Sequence, residues 1–402
     1  MARRGERTVG PAPGPRAQVI VVGLGAMGAA TCLALARRGV PVIGIDRFHP
    51  PHTLGSTHGD TRITRLAIGE GPQYVPLVRR SHELWRELER DSGQRLLRVC
   101  GGLVLGEGTS EFLGRTVDCA RRFGIDHELL DGDELRRRFP MFAAPEGTDA
   151  YYEPGSGYVR PELAVAASLA QASRLGARLR FDEPVRAWSA SAEGIGVRTD
   201  TAQLSAERLV LCPGAWISDL FGADRELFTV YRQLLFWFAL RGNFERLERM
   251  PVFIWDLGED AQARAHPRRV VYGFPPIDGP DGGVKVASES YEQPVVPDGA
   301  EHFASASEAA EMYRRHVAAA LPWVGPEPVR SASCLYTCTT SGDFVIDRHP
   351  EHDRVLVVSA CSGHGFKHSP AIGEALAELL TGARCELDLG PFVLPRPSYY
   401  SP

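Results

Sequence analysis

Three glycines and one carboxylate near the start of the 402-residue chain have the spacing of a dinucleotide-binding turn. Gly23, Gly25 and Gly28 form a Gly-x-Gly-x-x-Gly motif, and Asp46 follows 23 residues after Gly23. Glycines at these positions permit a tight turn, close approach of a pyrophosphate and close packing of a helix on a strand. A carboxylate about twenty residues further on binds ribose hydroxyls. An acid there favours an unphosphorylated ribose, so the motif indicates FAD or NAD rather than NADP.

Apolar runs on either side of the glycines predict the strand and helix that position them. The β-branched run Val19–Val22 precedes the motif, and an apolar helix extends from it to Arg38, where Gly39 is a natural stop. A second strand, Val40–Ile45, leads to the carboxylate. Residues 19–36 carry no charge and follow a basic stretch, as a signal peptide or membrane helix would. The three glycines that interrupt this run argue against both.

Composition narrows the class of protein. Apolar residues make up 44% of the chain, and its 42 Gly and 30 Pro are under a fifth of it, so the chain can bury a core. Its length predicts two or three structural units. With 45 basic and 50 acidic residues and a net charge of −5, nucleic acid is not an expected partner. Residues 1–17 are rich in Gly, Pro and Arg and are expected to form a leader outside the fold.

Cysteine usage indicates a reducing compartment. The eight cysteines include no Cys-x-x-Cys pair, and a chain of this length needs no disulfides. We therefore expect reduced thiols in a cytoplasmic protein that has no membrane segment. No His-Glu-x-x-His or Gly-x-Ser-x-Gly motif occurs, so neither a metal site nor a serine nucleophile is predicted.

Five segments, in order, resemble one family of flavoproteins. The first is the block from Gly23 to Gly71, which contains a long polar loop after the second strand. The others are GFP with GVK (273–285), SCLYT (333–337), DFVID with HP (343–350) and SGHGFK (362–367). From residue 19 to about residue 380, the sequence resembles the monomeric sarcosine oxidase and N-methyltryptophan oxidase family, among the D-amino-acid-oxidase-like flavoproteins. A different flavoprotein of the same superfamily is the alternative.

The resemblance implies an α/β fold, with a Rossmann-type FAD-binding domain and a strand-rich, mixed-sheet substrate domain. Matching FAD-contacting segments lie at both ends and in the middle of the chain, so both domains are expected to be discontinuous. The predicted FAD-binding domain comprises residues 18–95, 150–225 and 328–395, and the substrate domain comprises 96–149 and 226–327. Sequence patterns predict further strands at 102–105, 208–211 and 270–272 and helices at 75–90, 161–175 and 307–319.

The resemblance also implies which residues contact FAD. Cys334 matches the cysteine that carries FAD covalently, through its sulfur and the flavin 8α carbon, and a thiolate there needs basic surroundings. Cys338 is a rival by sequence alone, and a buried inert thiol is the other interpretation of Cys334. Thr61 and Arg62 match positions beside the flavin ring, where fixed positive charge favours the anionic reduced flavin. The full implied set is Gly23, Gly25, Ala26, Met27, Gly28, Asp46, Ser56, Thr61, Arg62, Val185, Gly214, Cys334, Gly363, His364, Gly365, Phe366 and Lys367.

Cationic and aromatic residues match the substrate side of the family's site. Arg65 and Lys367 match the pair that binds the substrate carboxylate. Lys285 matches a lysine near flavin N5, where its charge promotes electron transfer to O₂. Tyr336 matches a residue that lines the substrate cavity. Lys367, Lys285 and Arg62 also have an interpretation as surface residues, and Tyr336 has one as a core residue.

Two positions depart from the family pattern. Glu289 stands where the family has a substrate-side histidine, four residues after the matching lysine. Thr57 takes the place of one of two consecutive histidines and leaves His58. A carboxylate in place of an imidazole would suit an extra amino, guanidino or hydroxyl group on the substrate. Sarcosine itself is therefore not the expected substrate.

The resemblance implies an FAD-dependent amine oxidase that oxidises the C–N bond of a secondary, cyclic or modified α-amino acid to an imine and reduces O₂ to H₂O₂. The expected partners are this small-molecule amine and O₂, and the expected state is a monomer. One alternative is a flavin dehydrogenase that passes electrons to a quinone or carrier protein, which a Lys285 remote from the flavin would favour. The other is a dinucleotide-binding module that has no catalytic activity. The presence of all four family positions argues against this alternative: Arg65, Lys285, Cys334 and Lys367.

Overall fold

The computed structural model describes residues 17–222, 227–242, 244–259 and 268–395. The predicted leader lies outside these residues except for Ala17, which is buried and donates its backbone N–H to the Ser205 carbonyl (3.0 Å). The strands, in chain order, are β1 (Val19–Val22), β2 (Val42–Ile45), β3 (Arg62–Thr64), β4 (Leu97–Val99), β5 (Gly102–Glu107), β6 (Glu128–Leu130), β7 (Thr148–Glu153), β8 (Gly157–Val159), β9 (Arg178–Arg180), β10 (Val185–Ser191), β11 (Gly194–Thr199), β12 (Gln203–Ala206), β13 (Arg208–Leu211), β14 (Phe228–Leu240), β15 (Val252–Glu259), β16 (Arg268–Gly273), β17 (Val284–Ser288), β18 (Val324–Thr339), β19 (Val345–His349) and β20 (His352–Ser359). The helices are α1 (Ala26–Arg37), α2 (Val75–Ser92), α3 (Glu111–Phe123), α4 (Gly132–Arg138), α5 (Pro161–Arg174), α6 (Ile217–Phe221), α7 (Phe244–Glu248), α8 (Ala306–Met312) and α9 (Ser369–Thr381).

A six-stranded sheet, in the order β19-β20-β13-β1-β2-β9, carries the dinucleotide motif. Five of its strands are parallel, and β19 pairs antiparallel with β20 at one edge. Every residue of β1 and β2 is buried, which explains their continuous apolar sequences. Helix α1 follows β1 and packs against α5 and α9. A parallel sheet with helices that connect its strands is the predicted Rossmann-type arrangement.

A mixed eight-stranded sheet, ordered β18-β14-β17-β16-β15-β5-β7-β6, forms the second main layer of strands. Its side chains alternate between two faces, because successive strand residues point to opposite sides. One face joins an apolar core with helix α8 through Phe236, Phe238, Val284 and Val286. The opposite face, which we call the cavity face, carries a separate cluster that contains Leu235, Trp237, Ala287, Cys334 and Tyr336.

Two three-stranded sheets accompany the large ones. The first, β10-β11-β12, is antiparallel and packs apolar side chains against the six-stranded sheet. The second, β3-β8-β4, is also antiparallel and joins the polar loop after β2 to the chain between β7 and α5. This small sheet positions the segment that carries Thr61, Arg62 and Arg65.

Most of the predicted elements coincide with observed ones. Strands β1 and β13 have the predicted limits, and helices α2 and α5 begin at the predicted residues. The helix predicted at 307–319 is observed as α8 followed by a π-helical segment, Tyr313–Val317. Two predicted domain limits, at residues 150 and 328, fall inside β7 and β18 of the eight-stranded sheet. The division of the chain into two domains stays a prediction.

Candidate active site

One cavity of about 800 Å³ extends from the glycine turn after β1 to the cavity face of the eight-stranded sheet. This volume is within the usual range for cofactor and small-molecule sites. Gly28, His58, Thr61, Lys285 and Cys334 do not line it. All other predicted site residues line the cavity, although they come from separate parts of the chain. They are Gly23, Gly25, Ala26, Met27, Asp46, Ser56, Arg62, Arg65, Val185, Gly214, Glu289, Tyr336, Gly363, His364, Gly365, Phe366 and Lys367.

The glycine turn after β1 presents its backbone to the cavity. Gly23 has a φ of 88°, and a Cβ there would overlap the Cys212 carbonyl, so a larger residue would be strained. A Cβ at Gly28 would overlap the Gly23 carbonyl, because the helix lies close to the turn. At Gly25 the nearest neighbour of a Cβ would be the Thr57 hydroxyl at 3.5 Å. Two of the three glycines are therefore required by contacts within the protein, whereas the third has room for a Cβ.

Backbone N–H groups and one carboxylate determine the polar chemistry of this end. Helix α1 begins at Ala26 without a capping side chain and without an acidic residue in its first turn, so its N-terminus favours an anion such as a phosphate. Buried Asp46 accepts hydrogen bonds from the N–H groups of Leu24 (2.6 Å) and Phe48 (2.8 Å). Burial raises the pKa of the Asp46 carboxyl, and these two hydrogen bonds oppose the shift. The second lone pair of each oxygen can accept a ribose hydroxyl.

A second strand–turn–helix unit, from β20 to α9, lines the same cavity. Gly363 has a φ of 79°, and a Cβ there would lie 3.0 Å from the Tyr336 ring. A Cβ at Gly365 would overlap the Ala360 carbonyl. This turn is therefore packed directly against the cavity face. Gly214, with a φ of 59°, begins a short turn after β13 that also lines the cavity.

Arg65 is already paired with an internal carboxylate. Its Nη2 donates to Glu70 Oε2 (2.5 Å), its Nη1 donates to the Ala67 carbonyl, and its guanidinium lies 5.4 Å from the Phe112 ring centroid. Burial acts to raise the pKa of the Glu70 carboxyl, but the charge and hydrogen bond of Arg65, together with other nearby basic groups, outweigh burial and hold that pKa far below its usual value. Both residues line the cavity. A substrate carboxylate at Arg65 must therefore share this guanidinium with Glu70.

Lys367 supplies a second cation to the same part of the cavity. It is buried, and its Nζ donates to the His364 carbonyl (2.6 Å). Burial lowers the pKa of Lys367 to about 8, with Glu70 acting to raise it and Arg65 to lower it. An ammonium has three N–H donors, so Lys367 keeps donors for a ligand.

Lys285 is enclosed behind the cavity wall. Its Nζ donates to the carbonyls of Gly59 (2.5 Å) and Thr61 (2.9 Å) and to the Thr61 hydroxyl (3.2 Å). It also lies 4.7 Å from the Phe274 ring centroid. Burial, followed by the charge of Arg62, lowers the pKa of Lys285 well below its usual value. The ammonium is therefore fixed by the turn that precedes Arg62.

Arg62 places its charge at the cavity wall, whereas His58 does not reach it. The Arg62 guanidinium donates to the carbonyls of Thr61 (2.9 Å) and Ser56 (2.8 Å). Burial acts to lower the pKa of Arg62, but neighbouring thiol and phenol groups, Cys334 first, raise it above its usual value. Burial and the Arg62 charge lower the pKa of buried His58 to about 4, so this imidazole is neutral at pH 7.

Cys334 lies on β18 with its thiol enclosed in the protein. The residue is 1% exposed and belongs to the cluster on the cavity face. Burial raises the pKa of the Cys334 thiol, although Arg62 and Lys285 act to lower it. The basic surroundings expected from the sequence are therefore present, but burial outweighs them. Burial also raises the pKa of Cys338, which is less buried than Cys334.

Phenols and a carboxylate cover the rest of the cavity face. The hydroxyls of Tyr272 and Tyr336 lie 3.3 Å apart, and the Tyr291 hydroxyl donates to Glu289 Oε2 (3.1 Å). All four residues line the cavity. Glu289 is exposed, but the surrounding protein still desolvates its carboxyl and raises its pKa, and burial raises the pKa of Tyr336 far above its usual value. The sequence analysis included Glu289 and Tyr336 but missed the other two tyrosines.

Two further carboxylates hold the loop that carries the cations, and the sequence analysis missed both. Glu162, in the first turn of α5, accepts hydrogen bonds from the N–H groups of residues 59 (2.5 Å) and 60 (3.0 Å). Glu153, at the end of β7, accepts them from residues 66 (2.7 Å) and 67 (3.0 Å). The segment from Thr61 to Arg65 is thus clamped at both ends.

The carboxylates that the sequence analysis missed differ in whether a local sequence pattern could have indicated them. Glu70 stands five residues after Arg65 in the same polar loop, a separation at which an ion pair could have been predicted. The hydrogen bonds of Glu153 and Glu162 cross 86 to 103 residues of chain, and no local pattern indicates them.

Comparison with known proteins identifies the family. The family described as FAD dependent oxidoreductase (DAO) matches residues 18–379. The chain belongs to this family. The FAD-dependent oxidoreductase described here is 40% identical to the monomeric sarcosine oxidase of Streptomyces avermitilis, over 92% of this chain and 94% of that protein. It is 35% identical to the monomeric sarcosine oxidase of Bacillus sp. (strain B-0618), over 94% and 96%. It is also 33% identical to the N-methyl-L-tryptophan oxidase of Yersinia pestis (strain Pestoides F), over 94% and 98%. The resemblance found in the sequence is confirmed.

Solved structures confirm the fold of this FAD-dependent oxidoreductase. NikD, an unusual amino acid oxidase essential for nikkomycin biosynthesis, superposes in its open form with a TM-score of 0.78 at 24% identity, over 94% of this chain and 97% of that one. Glycine oxidase from Geobacillus kaustophilus superposes with a TM-score of 0.76 at 23% identity, over 95% and 99%. The predicted α/β fold class, with a Rossmann-type domain, is therefore confirmed.

The residues around the cavity fit FAD. Gly25 leaves room at the turn for the close approach of a pyrophosphate, and Asp46 has acceptors for the ribose. In the described residues, no group of three or more His, Cys, Asp or Glu side chains has an arrangement that could hold a metal ion. No described helix is both long enough and apolar enough to cross a bilayer.

Proposed function

We propose that this FAD-dependent oxidoreductase oxidises the C–N bond of a secondary, cyclic or modified α-amino acid to an imine and transfers the electrons to O₂, forming H₂O₂. The observation that carries the proposal is the single cavity that joins the dinucleotide-binding turn to the cations Arg65 and Lys367. A cavity of this kind can hold a dinucleotide at one end and a carboxylate-bearing amine at the other.

Arg65 and Lys367 are proposed to bind and orient the substrate carboxylate. Both are buried, so their hydrogen bonds to an anion are stronger than they would be in water. The phenols of Tyr272 and Tyr336 cover the adjoining wall and limit the access of water to the amine. The protein therefore contributes orientation and a partly dry site. Bound FAD supplies the acceptance of two electrons that amine oxidation requires.

Arg62 and Lys285 are proposed to stabilise negative charge that develops during electron transfer. Arg62 lines the cavity, and Lys285 is held directly behind it by the turn at Gly59 and Thr61. Reduction of O₂ begins with formation of superoxide, so fixed positive charge near that oxygen lowers the barrier. These two cations support O₂ as the acceptor over a carrier protein.

Separate measurements of the two half-reactions test the proposal. We expect anaerobic addition of N-methyl amino acids, proline or pipecolate to bleach the flavin absorbance. Mixing with O₂ should then restore that absorbance with one H₂O₂ released for each imine formed. Bleaching followed by fast reoxidation with a quinone but not with O₂ would replace the oxidase by a dehydrogenase. No bleaching by any amine in the panel would contradict amine oxidation itself.

We further propose that FAD is covalently attached through Cys334. In support, this thiol lies on the cavity face beside the charges of Arg62 and Lys285. Flavin should stay with the chain after acid precipitation of the parent protein and of Cys338→Ser, and should be released from Cys334→Ser. Retention of flavin by Cys334→Ser and its loss from Cys338→Ser would assign the linkage to Cys338.

Cytoplasmic location and a monomeric state are also proposed. None of the eight cysteines, all within the described residues, forms a disulfide, as expected for a reducing compartment. Fractionation of the source cells and sedimentation equilibrium of the purified protein test these two proposals. Recovery of the protein from the exported fraction, or a mass of twice 43.9 kDa, would contradict them.

A further inference from the structure

We infer that Glu289, together with Tyr291, forms a subsite for a second, cationic nitrogen on the substrate, so that the preferred substrates are α-amino acids that carry an additional amino or guanidino group. This inference rests on the proposed function, because it concerns the same cavity. On this inference, Glu289 replaces the histidine of the family pattern because it selects the substrate.

The position of Glu289 places its carboxylate with the carboxylate-binding cations. Glu289 directly follows strand β17 and lies four residues after Lys285, so its side chain belongs to the cavity face. Glu289 therefore shares one cavity with Arg65 and Lys367, and the charges of both cations act on its carboxyl.

The hydrogen bonding of Glu289 leaves acceptor capacity for a ligand. Its Oε2 accepts the Tyr291 hydroxyl (3.1 Å), and no described donor bonds to Oε1. No described Lys, Arg or His side chain forms an ion pair with it within 4.0 Å. Glu70, another carboxylate that lines the cavity, is different because Arg65 already neutralises it. Glu289 is therefore a carboxylate of the described cavity wall that can bind a ligand cation directly.

Charge complementarity then specifies the substrate. An amino acid with one carboxylate and one reacting amine satisfies Arg65 and Lys367 but leaves Glu289 unpaired when the ligand displaces water. A second nitrogen that carries a positive charge would pair with Glu289 Oε1 and remove this cost. The matching substrate therefore carries a carboxylate for Arg65 and Lys367 and a second cation for Glu289.

A matched pair of substrates tests the inference. N-methylnorvaline and Nα-methyl-2,4-diaminobutyrate have side chains of the same size, which end in a methyl group and an ammonium group. For the parent protein, we expect kcat/KM to be at least about tenfold higher for the diamino acid, since hydrogen bonds to charged groups contribute that much. Glu289→Gln should abolish the preference and Glu289→Asp should retain part of it. Glu292→Gln, a neighbouring exposed site, should leave it unchanged.

A binding experiment separates failure of this inference from failure of the proposed function. Benzoate and 3-guanidinobenzoate cannot be oxidised at an α-carbon, and calorimetry gives their affinities for the parent and the three variants. If no amine reduces the flavin but 3-guanidinobenzoate binds more tightly than benzoate in a Glu289-dependent manner, the subsite stands and the proposed reaction is wrong. If amines are oxidised with no preference for the second cation, or with a preference that Glu289→Gln keeps, the inference is wrong.

Discussion

The two ends of the cavity are built in different ways. At the dinucleotide end, Gly23 and Gly28 bring backbone so close to backbone that a Cβ would overlap a carbonyl oxygen. At the amine end, the surface consists of charged and phenolic side chains from different parts of the chain, among them Arg65, Glu289 and Lys367. Shape determines the first end, and charge determines the second.

This difference explains how one fold can keep its cofactor while its substrate changes. The shape of the dinucleotide end is set by the backbone, so it changes only if the turn moves. The same turn is needed for the close packing of α1 on β1. A charge-defined end is altered by one side chain, provided that the remaining buried charges keep their partners. If Glu289 selects the substrate as inferred above, it is a change of the second kind.

The largest effect is expected from breaking the backbone-defined end. Gly28→Ala places a methyl group against the Gly23 carbonyl and should cost about 1–3 kcal/mol of folding free energy and most of the bound FAD. Gly25→Ala has room for the methyl group in the protein alone, so it should fold normally yet lose FAD because the pyrophosphate is obstructed. The flavin-to-protein absorbance ratio and the melting temperature measure both effects.

Gly114→Ala in α3 is the matched control, because a Cβ at Gly114 would meet nothing within 4 Å. It should keep full FAD content and the parent melting temperature or a slightly higher one. Full FAD content in Gly25→Ala would show that this end is not defined by close approach of its backbone to the cofactor.

These differences also explain how far the sequence could predict the site. The turn at Gly23–Gly28 depends on local sterics, so its strand, helix and glycines could be located from spacing alone. The cavity face depends on the pairing of β14, β16, β17 and β18, and the resemblance to relatives, rather than any local pattern, indicated Lys285 and Tyr336. The bonds from Glu162 to residues 59 and 60 depend on tertiary packing, and only the structure revealed them.

The next largest effect is expected at a charge behind the cavity wall. Lys285→Met should slow reoxidation of the flavin by O₂ about 10²- to 10³-fold, since a preorganised charge that stabilises the developing anion is removed. Flavin content and anaerobic reduction by substrate should change much less. Lys367→Met provides the comparison, because it should raise the KM for the amino acid and leave reoxidation near the parent rate. Stopped-flow measurement of an unchanged reoxidation rate in Lys285→Met would show that this lysine does not act on O₂.

A smaller, pH-dependent effect is expected at the carboxylate site. The pKa of Lys367 is lowered by burial to about 8, so a carboxylate ligand should bind less tightly as the pH rises through this value and the cation is lost. The bound carboxylate favours the ammonium and raises its pKa, so log Kd should rise by at most about one per pH unit before it levels off. Lys367→Arg, which stays charged, should bind benzoate with little change from pH 6 to 10. A flat profile for the parent protein would contradict a role for the Lys367 charge.

The smallest effect is expected at Glu162, which holds the backbone of the loop that carries the cations. Glu162→Gln keeps an oxygen acceptor for the N–H groups of residues 59 and 60, so it should cost about 1 kcal/mol, whereas Glu162→Ala should cost about 1–3 kcal/mol in urea unfolding. The carboxylate of Glu162 also acts to raise the pKa of Lys285 against burial. Its loss should lower that pKa further, so the reoxidation rate of Glu162→Gln should fall off at a lower pH than that of the parent protein. If stability drops but the pH profile does not move, Glu162 only holds the backbone of the loop, and the charge at Lys285 is maintained without it.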